Sequence, residues 1–359
     1  MTVSSGASLL AASCPVPVAE TERVLLGHGS GGQLSAELLR TVVLPALGAA
    51  GAPGALEDGA VLAPEAGELV LSTDSFVVNP LFFPGGDIGE LAVNGTVNDL
   101  AMMGATPVAL TVALVIEEGL PLEDLRRVCT SIGRAAVAAG VPVVTGDTKV
   151  VGRGAVDGLF VTTAGLGRRL PGACPSATRA EPGDVVLLSG PLGRHGTAVM
   201  SAREGLGLES DEAELASDTQ PLHALVAAMV SAGGSDVHVL RDPTRGGLAS
   251  SLNEIAASSG VQVELDESRI PVPEAVQAVC EILGLDVLQV ANEGCLVAIV
   301  APAVVDAVLA AMHSVPAGRH AVAVGDVVEA DTARVVMRTL IGSRRIVDML
   351  IGEQLPWIC

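Results

Sequence analysis

The chain alternates aliphatic runs with helical stretches in two successive blocks, and a Pro- and Gly-rich break separates them. In the first block Leu69–Val78 reads as a strand and Ile88–Met103 as a helix. Val108–Ile116 follows as a strand, Leu122–Ala139 as a helix, and Val141–Val144 and Leu159–Leu166 as further strands. Residues 171–183 carry the Pro, Gly, Ala and charge of a boundary. Beyond them Val185–Ser189 reads as a strand, with helices near 195–204, 221–232, 246–259 and 274–283. Strands are expected at 261–265, 296–300 and 321–328, the last two bracketing another helix. Strands mixed with helices in two blocks of similar size predict two α/β domains, which suits a length of 359 residues. The expected division is a disordered leader 1–22, a first domain 23–170, a second domain 171–340 and a mobile tail 341–359.

The core of such a fold has to be aliphatic. Hydrophobic residues make up 49% of the chain, yet aromatics are only 1% and tyrosine is absent. That composition offers no aromatic platforms for stacking bases. A net charge of −21 opposes nonspecific binding to nucleic acid or to an anionic membrane. A phosphate ligand would therefore need metal ions or a locally basic, glycine-rich site. No apolar run approaches the ~20 residues of a membrane span. The segment Leu9–Cys14 loosely resembles a lipoprotein cleavage site, but no Lys or Arg precedes it within the apolar leader, so it reads as a loose leader. Cys14, Cys129, Cys174, Cys280, Cys295 and Cys359 are scattered, without CxxC pairs or zinc spacing, as in a reduced, cytoplasmic protein.

Four groups of residues stand out chemically. His28-Gly29-Ser30-Gly31-Gly32, following Gly27, lets a backbone approach an anion closely, although as a motif alone it is equally a flexible loop. Asp74, Asp99, Asp147 and Asp242 sit in or beside apolar elements, with glycine and hydroxyl neighbours. Carboxylates so placed need a pair or a metal, and Mg²⁺ takes a few carboxylates together with phosphate oxygens; helix caps and turns are the alternative reading. Lys149 and Glu293 are candidates for proton transfer if they face one cleft, or a plain ion pair if they do not. Finally, the chain closes on Pro356-Trp357-Ile358-Cys359. A thiol at the tip of a segment that can extend roughly 55 Å at about 3.3 Å per residue can be carried into another site.

The motifs GHGSGG, STDSF, VNDLAMMGA, GDTKVV, RDPTRGG and NEG, in this order and with a Pro-x-Ile-Cys end, resemble the HypE family of hydrogenase maturation proteins, which are carbamoyl dehydratases. The resemblance covers nearly the whole chain from about residue 24. One departure is visible: the family tail usually reads Pro-Arg-Ile/Val-Cys, and Trp357 stands in the Arg place. The resemblance implies an aminoimidazole ribonucleotide synthetase-like α/β (α+β) fold whose first domain closes a β-barrel with a second copy in a homodimer. It implies ATP and Mg²⁺ as cofactors, with Asp74, Asp99, Asp147 and Asp242 toward the metal. The nucleotide and its phosphates fall to His28, Gly29, Ser30, Gly31, Gly32, Asn98, Thr148, Arg245, Gly246 and Gly247. It further implies that Cys359 receives a carboxamide from the carbamoyltransferase HypF, that ATP-driven dehydration yields a thiocyanate, and that cyanide passes to iron on a HypC–HypD complex. Lys149 and Glu293 are then the candidate bases. The competing expectations are a related enzyme acting on a free small molecule, and a non-catalytic scaffold.

Overall fold

One helix organises the molecule, and its sequence explains why. The helix spanning Ile88–Met102 (IGELAVNGTVNDLAM) is buried nearly all round, the signature of a helix in the middle of a protein rather than on its surface. Its start is fixed by Asp87, whose carboxylate accepts the N–H groups of Gly89 at 2.8 Å and Glu90 at 3.1 Å. A computed structural model describes residues 32–38, 60–62, 67–205, 215–349, 351–352 and 358–359.

In chain order the first domain contains α1 (Gln33–Leu38), β1 (Ala60–Leu62), β2 (Leu69–Phe76), β3 (Phe82–Phe83), β4 (Gly86–Asp87) and the central helix α2 (Ile88–Met102). It continues with β5 (Ala105–Glu117), α3 (Leu122–Ala138), β6 (Val143–Val151) and β7 (Leu159–Arg169). Five strands form one sheet in the order β1-β2-β7-β5-β6. Strand β7 alternates buried and half-buried positions, as a sheet with one covered face should. The covered face lies on α2: the Thr163 hydroxyl of β7 bonds the Thr96 hydroxyl of α2.

The second domain contains β8 (Val185–Leu188), α4 (Arg194–Glu204), α5 (His223–Gly233), β9 (Val237–Arg241), α6 (Gly247–Ser259) and β10 (Gln262–Asp266). It ends with α7 (Glu274–Leu283), β11 (Val297–Val300), α8 (Val305–His313), β12 (Val322–Val328), β13 (Arg334–Arg338) and β14 (Arg344–Val347). The sheet order is β14-β13-β10-β12-β8-β11-β9, antiparallel except where β10 meets β13. Strands β9 and β11 are buried at every position, because helices cover both faces. Leu248, Leu252 and Ile255 of α6 pack on one face. Leu225 and Met229 of α5 pack on the other, joined there by Ala101 and Met102 from the end of α2. The central helix thus belongs to both cores and ties the domains together.

Strand β5 pairs with both β6 and β7, which leaves β1 and β6 outermost among the described residues. Two expectations from sequence need correction. The Thr145-Gly146-Asp147-Thr148-Lys149 segment does not follow a strand but forms the middle of β6. Edge strands are exposed and carry polar residues, so the apolar signature stopped at Val144. The second sheet also reaches past residue 340, since β14 pairs with β13 over Arg344–Val347; only Val347 of that strand is buried, which leaves no apolar run to read. The leader 1–22 and the loop His28–Gly31 lie outside the described residues.

Candidate active site

The end of the chain is docked, not free. Ile358 makes an antiparallel bridge with Val78, just past β2, and its side chain is 4% exposed within the first domain's core. Burying an isoleucine is worth about 1.5–3 kcal/mol. The Ile358 carbonyl lies 2.6 Å from Nε2 of His195 at the start of α4. Cys359 packs against the same core. Burial, then the neighbouring Glu293 carboxyl, hold its thiol well above the ordinary thiol range. The expected mobile tail is therefore anchored at its tip; residues 353–357, Trp357 included, lie outside the described residues.

Glu293 faces this thiol from the turn before β11. The side chain is 3% exposed. Burial raises its proton affinity well above the usual carboxylate range, and Asp242, Asp218 and Asp74 add to the effect while Arg245 opposes it. Its Oε1 is buried without a hydrogen-bond partner among the described residues. The turn is held rigidly: the Asp218 carboxylate accepts the N–H groups of Glu293 and Gly294, each at 3.1 Å. At Gly294 a Cβ would run into the Asp218 carbonyl, so only glycine fits there.

Arg245 completes the centre. It lies in the turn after β9 and keeps access to solvent. Its charge is reinforced by Cys359 first, and by Asp74, Glu293 and Asp99, against the cost of burial. The next residues, Gly246 and Gly247, have φ of 76° and 60° and start α6. A Cβ on Gly247 would come within 2.5 Å of the Leu288 carbonyl. The turn thus sets a helix N-terminus beside a guanidinium, which is anion-binding chemistry. Asp74 lies on β2, on the same face as Ser72, whose hydroxyl donates to Asp99 of α2 at 2.7 Å. Asp242 is buried at the end of β9.

The structure brings together Cys359, Glu293, Arg245, Asp74, Asp99 and Asp242, and leaves others apart. Asp147 and Lys149 are exposed on β6. The registers run Asp74–Thr163–Val112–Gly146, so β6 is three strand spacings, about 14 Å, from β2. Within one protomer the expected approach of Lys149 to Glu293 is not formed, because the edge strand carries Lys149 away from the cleft. Thr148 shares that strand. Asn98 is engaged elsewhere. Its Nδ2 donates to the Gln220 and Glu293 carbonyls at 3.1 and 3.2 Å, and its Oδ1 accepts the Leu222 N–H at 2.8 Å. Both amide donors are used in bracing the second domain's turns rather than in meeting a phosphate. Gly32 is buried and accepts the Ala36 N–H at 3.1 Å, at the start of α1. Sequence reasoning missed Asp218, Ser217 and His195. Their partners lie far along the chain, and only the nearby glycines hinted at tight turns.

Among the described residues no three His, Cys, Asp or Glu groups are poised around a single metal point. The donors present near Arg245 are hard carboxylate oxygens, which fit a Mg²⁺ that arrives with phosphate oxygens and water. No helix among the described residues is long and apolar enough to cross a membrane.

Fold and site together define an AIR synthase-related protein: residues 56–169 match the N-terminal domain of that family and residues 181–338 its C-terminal domain. The chain is 50% identical to the carbamoyl dehydratase HypE of Rhizobium leguminosarum bv. viciae over 337 residues, covering 94% of this chain and 95% of the relative. It is 45% identical to that of Escherichia coli K12 over 340 residues, covering 94% and 99%. Its fold superposes on a HypE in complex with HypF with TM-score 0.81, at 45% identity over 87% of this chain and 99% of the other. A HypE in complex with ATP gives TM-score 0.78, at 46% identity over 94% and 100%. The chain belongs to the HypE family of carbamoyl dehydratases.

Proposed function

We propose that this chain is an ATP-dependent carbamoyl dehydratase whose substrate group is carried on Cys359. One observation supports the reading: the Cys359 thiol lies beside Glu293 and Arg245 of the second domain and near Asp74 of the first. The reaction turns an S-carboxamide into an S-thiocyanate with the hydrolysis of ATP. The carboxamide oxygen attacks the γ-phosphorus, ADP leaves, and nitrogen loses one proton. Loss of the second N–H proton then closes the C≡N bond as the C–O bond breaks and phosphate departs.

The residues divide naturally among these steps. Arg245 and the N–H groups at the start of α6 bind and orient phosphate. Asp74, Asp99 and Asp242 would hold Mg²⁺, which supplies charge neutralisation at the phosphoryl group. Glu293 is the base for the amide nitrogen. Its raised proton affinity makes it, once charged, a stronger base than an ordinary carboxylate. Burial excludes water, which would otherwise compete for the phosphorylated intermediate.

The docked thiol is half-buried and holds its proton tightly, so it is a poor nucleophile where it lies. Loading with the carboxamide therefore takes place with the tail withdrawn. A HypE relative forms a complex with HypF, and we take that carbamoyltransferase as the donor. A HypC–HypD complex is the proposed acceptor of cyanide for the iron of NiFe-hydrogenase. The dispersed thiols, unpaired at Cys129, Cys174, Cys280, Cys295 and Cys359, support a cytoplasmic setting.

The functional unit is proposed to be a homodimer closing a β-barrel through the first domain. Among the described residues no strand pairs with the outer side of β6, and beside it lies a groove of 590 Å³ lined by Val112, Leu114, Ile132, Val143 and Val144. Val143 and Val144 are 41% and 61% exposed, which an isolated edge would not tolerate well. Asp147, Thr148 and Lys149 share this edge, so any part they take depends on what pairs with it.

Mass analysis of the C-terminal peptide tests the reading. After carbamoylation and ATP, the peptide should lose the mass of one water. A free small molecule turned over equally well by a chain lacking residues 353–359 would favour the related-enzyme reading.

A further inference from the structure

We propose that His195 is the latch that reads the penultimate carbonyl of the tail and sets the register in which Cys359 enters the cleft. The proposal rests on the reading that Cys359 carries the reacting group. The imidazole is wholly buried. Its Nδ1 lies 2.8 Å from the Ser217 hydroxyl, and its Nε2 lies 2.6 Å from the Ile358 carbonyl. A carbonyl only accepts, so Nε2 must carry the proton, and the neutral ring then accepts at Nδ1. Ser217 can satisfy that need. Its oxygen accepts the Thr219 N–H at 3.2 Å, leaving its own proton for Nδ1. The polar chain runs in one direction from Thr219 through Ser217 and His195 to Ile358. Burial favours the uncharged ring that this direction requires.

The ring is also held sterically. Phe83 meets it edge-on, with centroids 5.3 Å apart and planes at 88°. Ser217 is itself tied by its N–H to the Pro84 carbonyl at 2.8 Å. Phe83 and Ser217 thus hold the His195 ring through contacts that do not involve the tail. Ile358 meets it with three matched features: a carbonyl for Nε2, a backbone bridge to Val78 and a side chain for the apolar pocket. A shift of one residue would turn the carbonyl away and expose the isoleucine, since side chains in an extended segment alternate. This places the thiol, one residue on, against Glu293. His195 touches the carrier's backbone and not the reacting atoms, so it is a positioning residue.

Thiol accessibility in the full-length protein tests this without reference to catalysis. The probe is iodoacetamide, with Cys359 alkylation followed by the mass of its peptide. His195→Leu removes the donor and should raise the Cys359 alkylation rate about ten-fold, the scale of one buried hydrogen bond. His195→Gln keeps an N–H donor and should return the rate most of the way. Dehydration of the carbamoylated protein should fall by a similar factor in His195→Leu, as a loss in kcat, with nucleotide affinity unchanged. If His195→Leu reduces the folded yield, His195→Ala and Ile358→Ala replace it: each should raise the alkylation rate, and the double variant should exceed the larger single effect only slightly. An unchanged alkylation rate in folded His195→Leu, or full additivity in the double variant, overturns the latch. If alkylation rises as expected but no water is lost from any carbamoylated form, the latch stands and the dehydratase reading fails.

Discussion

The carboxylate of Asp218 receives the backbone N–H of Glu293 at 3.1 Å, so one acid fixes the position of another. The same contact sets a negative charge close to the Glu293 side chain, and with burial it keeps that carboxyl protonated far above its ordinary range. Asp218 thus positions the turn and adds to the effect of burial and of Asp242 on its acid–base character. Asp218→Asn keeps an acceptor for only one of the two N–H groups. It should lower the pH at which dehydration switches on, and cut the maximal rate through looser placement of Glu293. A pH–rate profile reads both effects, and an unshifted acid limb would remove Asp218 from the site.

Glu293 also makes a stability prediction with a definite sign. The folded chain keeps the Glu293 proton above the pH at which the unfolded chain has lost it, so over that window the folded state binds more protons. Its contribution to stability therefore falls as pH rises above the ordinary carboxylate range, and levels off above the raised folded value. Glu293→Gln cannot ionise. Its Tm should gain on the wild type as pH goes from about 5 to about 8, while thiocyanate formation is lost. A Tm difference independent of pH would mean that Glu293 is charged in the folded protein.

Asp74 belongs to the proposed nucleotide site through its face of β2 and its proximity to Arg245. Asp74→Asn should weaken Mg²⁺-dependent ATP binding by ~1–3 kcal/mol, the scale for losing one charged partner. Titration calorimetry with and without magnesium separates this from a general loss of affinity. Asp147→Asn, on the edge strand, should have a smaller effect on a monomeric form of the protein.

The outer side of β6 leads to an assembly prediction. Light scattering at micromolar concentration should give the mass of two chains. Val144→Glu, at a position 61% exposed, should shift the mass toward one chain with the fold intact, since a charge in an apolar interface is costly. A single-chain mass for the wild type would refute the dimer.

How much of this was legible in the sequence depends on the range of the signals. Helix α2 and strands β5, β7 and β11 announce themselves through long apolar runs. Strand β6 did so only at its start, Val143–Val144, because the stretch with Thr145, Asp147 and Lys149 looks like a turn beside Gly146. Short β14, with one buried residue, gave no pattern at all. Within the site, Glu293 and the aspartates stood out because carboxylates next to glycines in apolar surroundings need a reason, whereas Arg245 entered only through the motif resemblance. His195, Ser217 and Asp218 gave no such signal, because each acts through a partner far along the chain, 75 residues away for Asp218 and 163 for His195. The tail's anchoring was equally hidden: Ile358 is one isoleucine, and only the fold supplies Val78 and His195 opposite it.

The central claim is that the docked thiol of Cys359 carries the group that is dehydrated. Infrared spectroscopy after loading with isotope-labelled carboxamide and adding ATP tests it most directly. A nitrile stretch should appear, shift with the label, and be absent from Cys359→Ala, which should still bind ATP with nearly unchanged affinity. A labelled nitrile in Cys359→Ala, or one located on any other cysteine of the wild type, would contradict the account.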